Sequence, residues 1–295
     1  VGPFVEAQVN SLRDGEAILL ENLRFHANET ANQPDFVGRL ARLADVYVND
    51  AFGSAHRAHA STAGMAQFFD EKGAGFLMER EIRALEQVRD NPQRPFVCVL
   101  GGAKVSDKLA VLEALAERAD TIIVGGAMAY TFLLARDEPV GGSLVEPDQI
   151  ETARRLLSKD TAIVLPIDHV VAESVNAIET AETVETIPED RIALDIGPAT
   201  IEQVKEHLAC AATVFWNGPL GLFEQPPFDA GTRAVAQLIA ESTAYSVVGG
   251  GDSLAAVRAA GVGDRISHLS TGGGASLEFL EGRVLPGIAA LETPA

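Results

Sequence analysis

The 295-residue sequence is poor in the residues of a cysteine framework, a membrane span or a nucleic-acid surface. It has only two cysteines, Cys98 and Cys210, each in an apolar run and far from the other. That gives neither a disulfide framework nor a spaced set of metal ligands, and a reducing, cytoplasmic setting is the simplest expectation. Basic residues are scarce, 23 against 42 acidic ones, and the formal net charge of -19 has the wrong sign for holding a phosphate backbone. No nucleic-acid partner is expected. Long hydrophobic runs are missing as well. The apolar stretch between Asp120 and Arg136 falls short of the roughly 18–20 residues of a spanning helix and is broken by Gly125 and Gly126, so no membrane segment is expected. The chain opens Val1-Gly2-Pro3-Phe4, without a basic segment leading into an apolar one.

What is present is an ordinary globular composition, 47% hydrophobic and 22% charged, in a chain long enough for about two domains. From Phe96 onward, short apolar runs end in small or polar residues: PFVCVLGGAK (95–104), TIIVGGAMAY (121–130), AIVLPIDHVVA (162–172), TVFWNGPLG (213–221) and YSVVGGGDS (245–253). Such runs suit strands buried on both faces. Amphipathic stretches at 107–119, 146–158, 198–209, 229–242 and 253–260 separate them, and the alternation predicts a parallel sheet with helices on both faces. Upstream, AILLENLRF (17–25) and DVYVND (45–50) read as two further strands, with a helix over 36–44. The pattern FLMEREIRALEQVRD (76–90), stopped by Asn91-Pro92, predicts a long helix joining two domains as a stiff hinge element.

In a parallel α/β sheet the carboxyl ends of the strands gather on one edge, where ligands bind. A glycine pair after a strand can simply make a tight turn. Four ends carrying Lys104 and Lys108, Asn217, Glu224, and Asp252 with Ser253 point instead to a phosphate or nucleotide site. In GGAKVSDK (101–108) the two lysines, four apart, are expected on one face of a first helical turn. There they oppose the helix dipole unless an anion joins them. In VVGGGDS (247–253), Ser253 can cap the following helix, and Asp252 makes sense beside an anion if Mg²⁺ sits between carboxylate and phosphate. A third glycine cluster, Gly272, Gly273 and Gly274, offers backbone N–H groups to an anion. No Walker A and no G-x-G-x-x-G after a strand is present. Arg24 and Arg57, at the ends of the upstream strands, suit carboxylate or phosphate. His56 and His59 lack the Cys or Glu partners of a zinc site and are expected to cap or hydrogen-bond.

The segments ENLRFH, VNDAFGSAHRAHAST, GFLMERE, GGAKVSDK, GGAMAYTFL, DIGPAT, VFWNGPLGLFE, VVGGGDS and SHLSTGGGASLEFLEG resemble, in order and spacing, the signature segments of the phosphoglycerate kinase family. The resemblance runs almost from end to end. It implies an α/β fold of two Rossmann-like parallel-sheet domains joined by a hinge helix. It also implies reversible Mg²⁺-dependent phosphoryl transfer between 1,3-bisphosphoglycerate and ADP, giving 3-phosphoglycerate and ATP in glycolysis, by a monomer.

The resemblance implies that Lys108 holds nucleotide phosphates and Lys104 the migrating phosphoryl group. It places Glu224 at the ribose, Gly125 and Gly126 near the adenine, and Asn217, Gly250, Gly251, Asp252 and Ser253 at the phosphates, with Asp252 the expected Mg²⁺ ligand. On the same resemblance Arg24 and Arg57 are expected to grip the phosphoglycerate, and Gly272, Gly273 and Gly274 to offer amides to the transferring group. The implied division is a substrate domain at 1–78, an interdomain helix at 79–92, a nucleotide domain at 93–268 and a return segment at 269–295.

The family's amino-terminal region, roughly a hundred residues including a catalytic arginine, has no counterpart here. The first domain is therefore expected to be incomplete and this chain weak or inactive alone. A nucleotide-binding remnant without catalysis is the alternative. Another small-molecule kinase is opposed by Arg24 and Arg57, both present in their motifs. Ala199 stands where the family usually has lysine, a change expected to be peripheral.

Overall fold

The computed structural model describes residues 1–292. The chain divides into two compact units. Unit 1 holds Val1–Arg83, Gly274–Phe279 and the stretch from Arg283, and unit 2 holds Ala84–Gly273 and Leu280–Gly282.

In chain order, the first elements are α1 (Pro3–Asn10), α2 (Ala27–Thr30), α3 (Pro34–Ala41), β1 (Tyr47–Asn49), β2 (Lys72–Ala74) and α4 (Phe76–Arg89), the last running across the division. Next come β3 (Phe96–Leu100), α5 (Leu109–Leu115), β4 (Thr121–Val124), α6 (Met128–Ala135), α7 (Ile150–Leu157) and β5 (Ala162–Val164). After these follow β6 (His169–Ala172), β7 (Glu182–Val184), β8 (Ile192–Ile196), α8 (Pro198–Cys210), β9 (Thr213–Asn217) and α9 (Ala230–Glu241). The series closes with β10 (Tyr245–Gly249), α10 (Gly251–Ala259), β11 (His268–Leu269), α11 (Gly274–Leu280) and α12 (Pro286–Glu292).

Unit 2 is built on a six-stranded sheet in the order β11-β10-β9-β3-β4-β5, with every neighbouring pair parallel. The strands β3, β4 and β9 are buried along their whole length, which explains why they read as unbroken apolar runs. Val204 and Leu208 of α8, Val235 and Ile239 of α9, and Val257 of α10 pack against Val97, Val214, Trp216 and Val248 of the sheet. The order is that of a doubly wound fold, and its winding reverses between β3 and β9, where a crevice opens at the carboxyl ends. Main chain closes in on main chain there. Gly218 has φ +95°, and a Cβ on it would lie 2.1 Å from the Gly101 carbonyl oxygen.

The run 162–172, expected as one strand, is two. Pro166, which has no N–H to give a ladder, interrupts it. Residues before it form β5 in the main sheet, and residues after it form β6, the centre of an antiparallel sheet ordered β7-β6-β8. Between them Asp168 accepts hydrogen bonds from the Ala199 and Thr200 amides at 2.8 and 2.7 Å and from the Thr200 hydroxyl, so it caps α8 from outside. Ala199 takes part in this cap only through its backbone.

Unit 1 has a core of Phe36, Val37 and Leu40 from α3 with Tyr47, Met65 and Phe69. Its sheet, among the described residues, is the parallel pair β1 and β2. The segment AILLENLRF is not a strand. It runs irregularly into a 3-10 turn at Leu23–Phe25, started by the Asn22 side chain accepting from the Arg24 amide. A strand needs a partner ladder, and this segment has none among the described residues: Leu19 is 96% exposed and Phe25 74%. Asp50 accepts from the Met78 amide at 2.9 Å and so caps the start of α4. Gly287 of α12 donates to the Ala55 carbonyl at 2.8 Å. No helix among the described residues is long and apolar enough to cross a membrane.

The Gly218 contact yields a test. Gly218→Ala must move backbone against backbone and hold a side chain at positive φ, so chemical denaturation should show a loss of about 2 kcal/mol or more.

Candidate active site

The crevice of unit 2 gathers its polar groups from three strand ends. Asn217, the last residue of β9, is buried and accepts a hydrogen bond from the Lys108 ammonium, 109 residues away in sequence. Burial lowers the Lys108 pKa, while Asp107 and Asp252 nearby hold it up. Gly250, at φ +90°, turns the chain from β10 into α10, and a Cβ there would approach the Asn217 side-chain nitrogen to 3.0 Å. Lys108, Asn217, Gly250 and Asp252 thus meet at the carboxyl ends of β3, β9 and β10.

Beside them lies a cavity of about 510 Å³, within the usual range for small-molecule sites. Gly126, Ala127 and Tyr130 line it together with Leu144, Val175, Leu194 and Leu222, and Glu224 and Asp252 add the carboxylates. A largely apolar slot with polar groups placed among its walls matches a flat heterocycle carrying a sugar and phosphates. The loop that bears Glu224 is hung on the neighbouring elements. Leu222 donates to the Leu194 carbonyl at 2.8 Å, Leu220 to the Thr232 hydroxyl at 3.0 Å, and Gln225 to the Val175 carbonyl at 2.7 Å. Asp195, wholly buried at the end of β8, accepts from the Gly231 amide of α9 and from the Ile196 amide at 2.7 and 2.9 Å. Burial raises its pKa to about 7 against those two hydrogen bonds, with Asp229 adding to the rise.

Several expected details are revised. Lys104 and Lys108 do not share a first helical turn. Lys104 is exposed in the turn after β3, Lys108 ends a 3-10 turn, and α5 starts only at Leu109. That turn is held from outside, because the Ser106 amide and hydroxyl are taken by the Glu146 carboxylate, 40 residues along the chain. Ser253 does not cap α10. Its buried hydroxyl accepts from the Gly218 amide at 2.6 Å, tying the turn after β10 to the turn after β9. Gly125 is no part of the cavity wall, because it is packed under Leu220. Gly251 is exposed at the start of α10. In the last glycine cluster, the Gly272 amide is engaged by the Ser270 hydroxyl at 3.3 Å. Gly273 has φ +54° in unit 2, and Gly274 belongs to unit 1.

Unit 1 carries a separate cavity of about 400 Å³ lined by Arg24, Thr30, Gly53, Ser54, His56, Arg57 and His59. Arg24 reaches the Ser54 hydroxyl at 3.4 Å. The turn bearing Arg57 and His59 is fixed by Thr62, whose hydroxyl donates to the Arg57 carbonyl at 2.6 Å and accepts from the His59 amide at 3.1 Å. Glu29, only 2% exposed, holds the same turn by accepting from the Ser61 amide and hydroxyl. The histidines do not act as expected, since the Nδ1 atoms of His56 and His59 are buried and have no hydrogen-bond partner. His56 also has its pKa lowered, first by burial and then by Arg57, with His59 and Arg24 adding. Two guanidinium groups and two unpartnered imidazole nitrogens suit a small acid with phosphate and hydroxyl groups. Gly274 places its backbone 3.6 Å from His56 Nε2, measured to the position a Cβ would take.

Sequence reasoning passed over Glu29, Glu146, Thr62 and Asp195. None stands in a glycine-rich end; Glu29, Glu146 and Asp195 act on segments far along the chain, and Thr62 on the turn just before it. No group of three or more His, Cys, Asp or Glu side chains that could hold a metal occurs among the described residues. One rim carboxylate, Asp252, beside Lys108 nonetheless fits Mg²⁺, which takes one or two carboxylates and fills its shell with phosphate oxygens and water.

A doubly wound unit whose apolar crevice is rimmed by Lys108, Asn217 and Asp252, and a second unit whose cavity is lined by two arginines, suit a phosphotransferase, the class to which the chain's relatives belong. The phosphoglycerate kinase family matches residues 1–283. A phosphoglycerate kinase of Solibacter usitatus is 56% identical over 293 residues, 99% of this chain and 74% of that protein. One of Salinibacter ruber is 55% identical over 296 residues, covering 99% and 74%. The solved phosphoglycerate kinase of Coxiella burnetii superposes with a TM-score of 0.88 at 43% identity, covering 94% of this chain and 73% of that one. That of Pyrococcus horikoshii gives 0.86 at 35%, covering 99% and 76%. The chain belongs to the phosphoglycerate kinase family, spans about three quarters of the length of these relatives, and has that family's kinase function.

Asp195 yields a pH test. Its folded pKa of about 7 exceeds the 3.8 of an open chain, so the folded state holds the proton more tightly and stability falls as pH rises between those values. Asn at this position removes that dependence but loses one acceptor. The cost of Asp195→Asn in urea denaturation should therefore be larger at pH 5 than at pH 8, by on the order of 1–3 kcal/mol.

Proposed function

We propose that the chain moves a phosphoryl group between 1,3-bisphosphoglycerate and ADP, giving 3-phosphoglycerate and ATP, as a cytoplasmic monomer in glycolysis. The observation that carries this reading is the convergence of Lys108, Asn217, Gly250 and Asp252 at the mouth of the apolar cavity in unit 2. The acceptor in the reverse direction is itself an ionised carboxylate, so no side-chain base or nucleophile is needed, and the protein's task is positioning and charge neutralisation.

In this reading the adenine lies against Gly126 and Tyr130, with Gly125 behind supporting the wall, and Glu224 takes the ribose hydroxyls. Lys108, held by Asn217, faces the phosphates together with the amides of Gly250 and Gly251, while Ser253 fixes the turn and keeps its own proton to donate. Lys104 follows the migrating phosphoryl group. The amides of Gly273 and Gly274 keep the role of meeting that group, and Gly272 orients them through Ser270. Asp252 would hold the Mg²⁺ that offsets phosphate charge when bound. In unit 1, Arg24 and Arg57 pair with the phosphate and carboxylate of phosphoglycerate.

Nucleotide binding belongs to a full six-stranded unit, whereas the unit 1 cavity brings two guanidinium groups on a frame with a two-stranded sheet. We therefore expect this 295-residue chain to bind MgADP well and to turn over slowly. Calorimetry should show MgADP binding weakened about tenfold or more in Lys108→Ala. Equal affinity in that variant would remove Lys108 from the site. A coupled assay of 3-phosphoglycerate with ATP measures turnover. A rate in the usual range of about 1–100 per second would overturn the expectation of weak activity, and binding with no turnover at all would favour a nucleotide-binding module without catalysis.

A further inference from the structure

The turn between β3 and α5 carries both site lysines and has little regular structure of its own. Gly102 accepts from the Met128 amide at 3.0 Å, the Val105 side chain is buried, and the Lys108 amide returns to the Val105 carbonyl at 3.0 Å. At the centre of the turn stands one further tie from outside. Glu146, 40 residues along the chain, accepts from the Ser106 amide at 3.1 Å through one carboxylate oxygen and from the Ser106 hydroxyl at 2.5 Å through the other. Glu146 is itself anchored, since its amide donates to the hydroxyl of Thr131, which is buried in α6. Hydrogen bonds thus link Thr131, Glu146 and Ser106, and α6, which carries Thr131, begins just after Gly126 on the cavity wall.

We infer that Glu146 is a positioning residue for phosphate binding: its carboxylate sets the turn so that Lys104 and Lys108 face the same anion. The inference rests on the reading of unit 2 as the nucleotide site. A carboxylate beside Lys104 opposes an anionic ligand through its charge, so a role through charge and a role through geometry have opposite signs. The geometry favours the second. Both oxygens are engaged by Ser106, and although burial pushes the Glu146 pKa up, the bonds from Ser106 and Val105, with Lys104 nearby, bring it below the ordinary carboxylate value. The group is an ionised acceptor at neutral pH and a fixed point for the turn.

The experiment uses the 295-residue chain and compares Glu146→Ala, Glu146→Gln and Ser106→Ala with wild type. MgADP and adenosine, which carries no phosphate, are each titrated, with Lys108→Ala as reference. Glu146→Ala should weaken MgADP about tenfold and leave adenosine unchanged, while Glu146→Gln, which keeps an acceptor for Ser106 but loses the charge, should stay near wild type. Glu146→Ala and Ser106→Ala together should lose no more than Glu146→Ala alone, because they remove one interaction. Unchanged or tighter MgADP binding in Glu146→Ala, with Lys108→Ala still weakened, overturns this inference alone. Equal loss of MgADP and adenosine overturns it too, since it would make Glu146 a support of the whole unit. Failure of wild type to bind MgADP overturns the reading of the site, and this inference with it.

Discussion

The pairing of β3 with β9 joins strands that the chain makes more than a hundred residues apart, and the site of unit 2 depends on it. Leu100 sits opposite Asn217 in that ladder, so the turns that follow the two strands start at the same height. Because the winding reverses there, no crossover helix covers the gap, and Gly101 and Gly218 let the two main chains touch across it. Lys108 comes to Asn217 as a consequence, and Ser253 brings in the turn after β10 by taking the Gly218 amide. Each of these contacts is long in sequence and short in space.

Around this junction the protein uses carboxylate acceptors, some of them buried, to hold loops. Asp168 caps α8, Asp195 anchors the start of α9 beside the Glu224 loop, and Glu146 grips the lysine turn. In unit 1, Asp50 and Glu29 do the same for the start of α4 and for the turn after His59. Carboxylates accept several backbone N–H groups at once, which makes them efficient at fixing segments that have no ladder. They also account for part of the acidic excess, since some of the acidic side chains face inward onto amides and not outward to solvent.

The strands of the main sheet were legible because burial on both faces leaves a signature in consecutive residues, as in Phe96–Leu100 and Thr213–Asn217. Asn217 and Asp252 stand at strand ends, as their place in the sequence pattern predicts, and Lys108 stands in the turn after β3, whereas Arg24 lies in a 3-10 turn and not at the end of the strand expected there. What the sequence hid depended on partners. The apolar run at 17–25 has the composition of a strand but no neighbouring ladder among the described residues, and the run at 162–172 changes sheets at a proline. Ser253 looked like a helix cap because caps are judged from the next few residues, while its partner, Gly218, lies 35 positions away. Glu146 and Glu29 carry no local mark at all, because what defines each of them is the turn it holds.

The apolar side chains that unit 1 turns to solvent, Leu19 and Phe25 with Phe4 and Val48, have a colloidal consequence. Such side chains attract one another between molecules, and a net charge of -19 sets a repulsive barrier against that approach. The barrier works over a Debye length, so it thins as salt is added and vanishes as the carboxylates take up protons. The acidity that makes an anionic substrate harder to attract is therefore also what keeps this surface dispersed, and the chain is best behaved in dilute, neutral buffer.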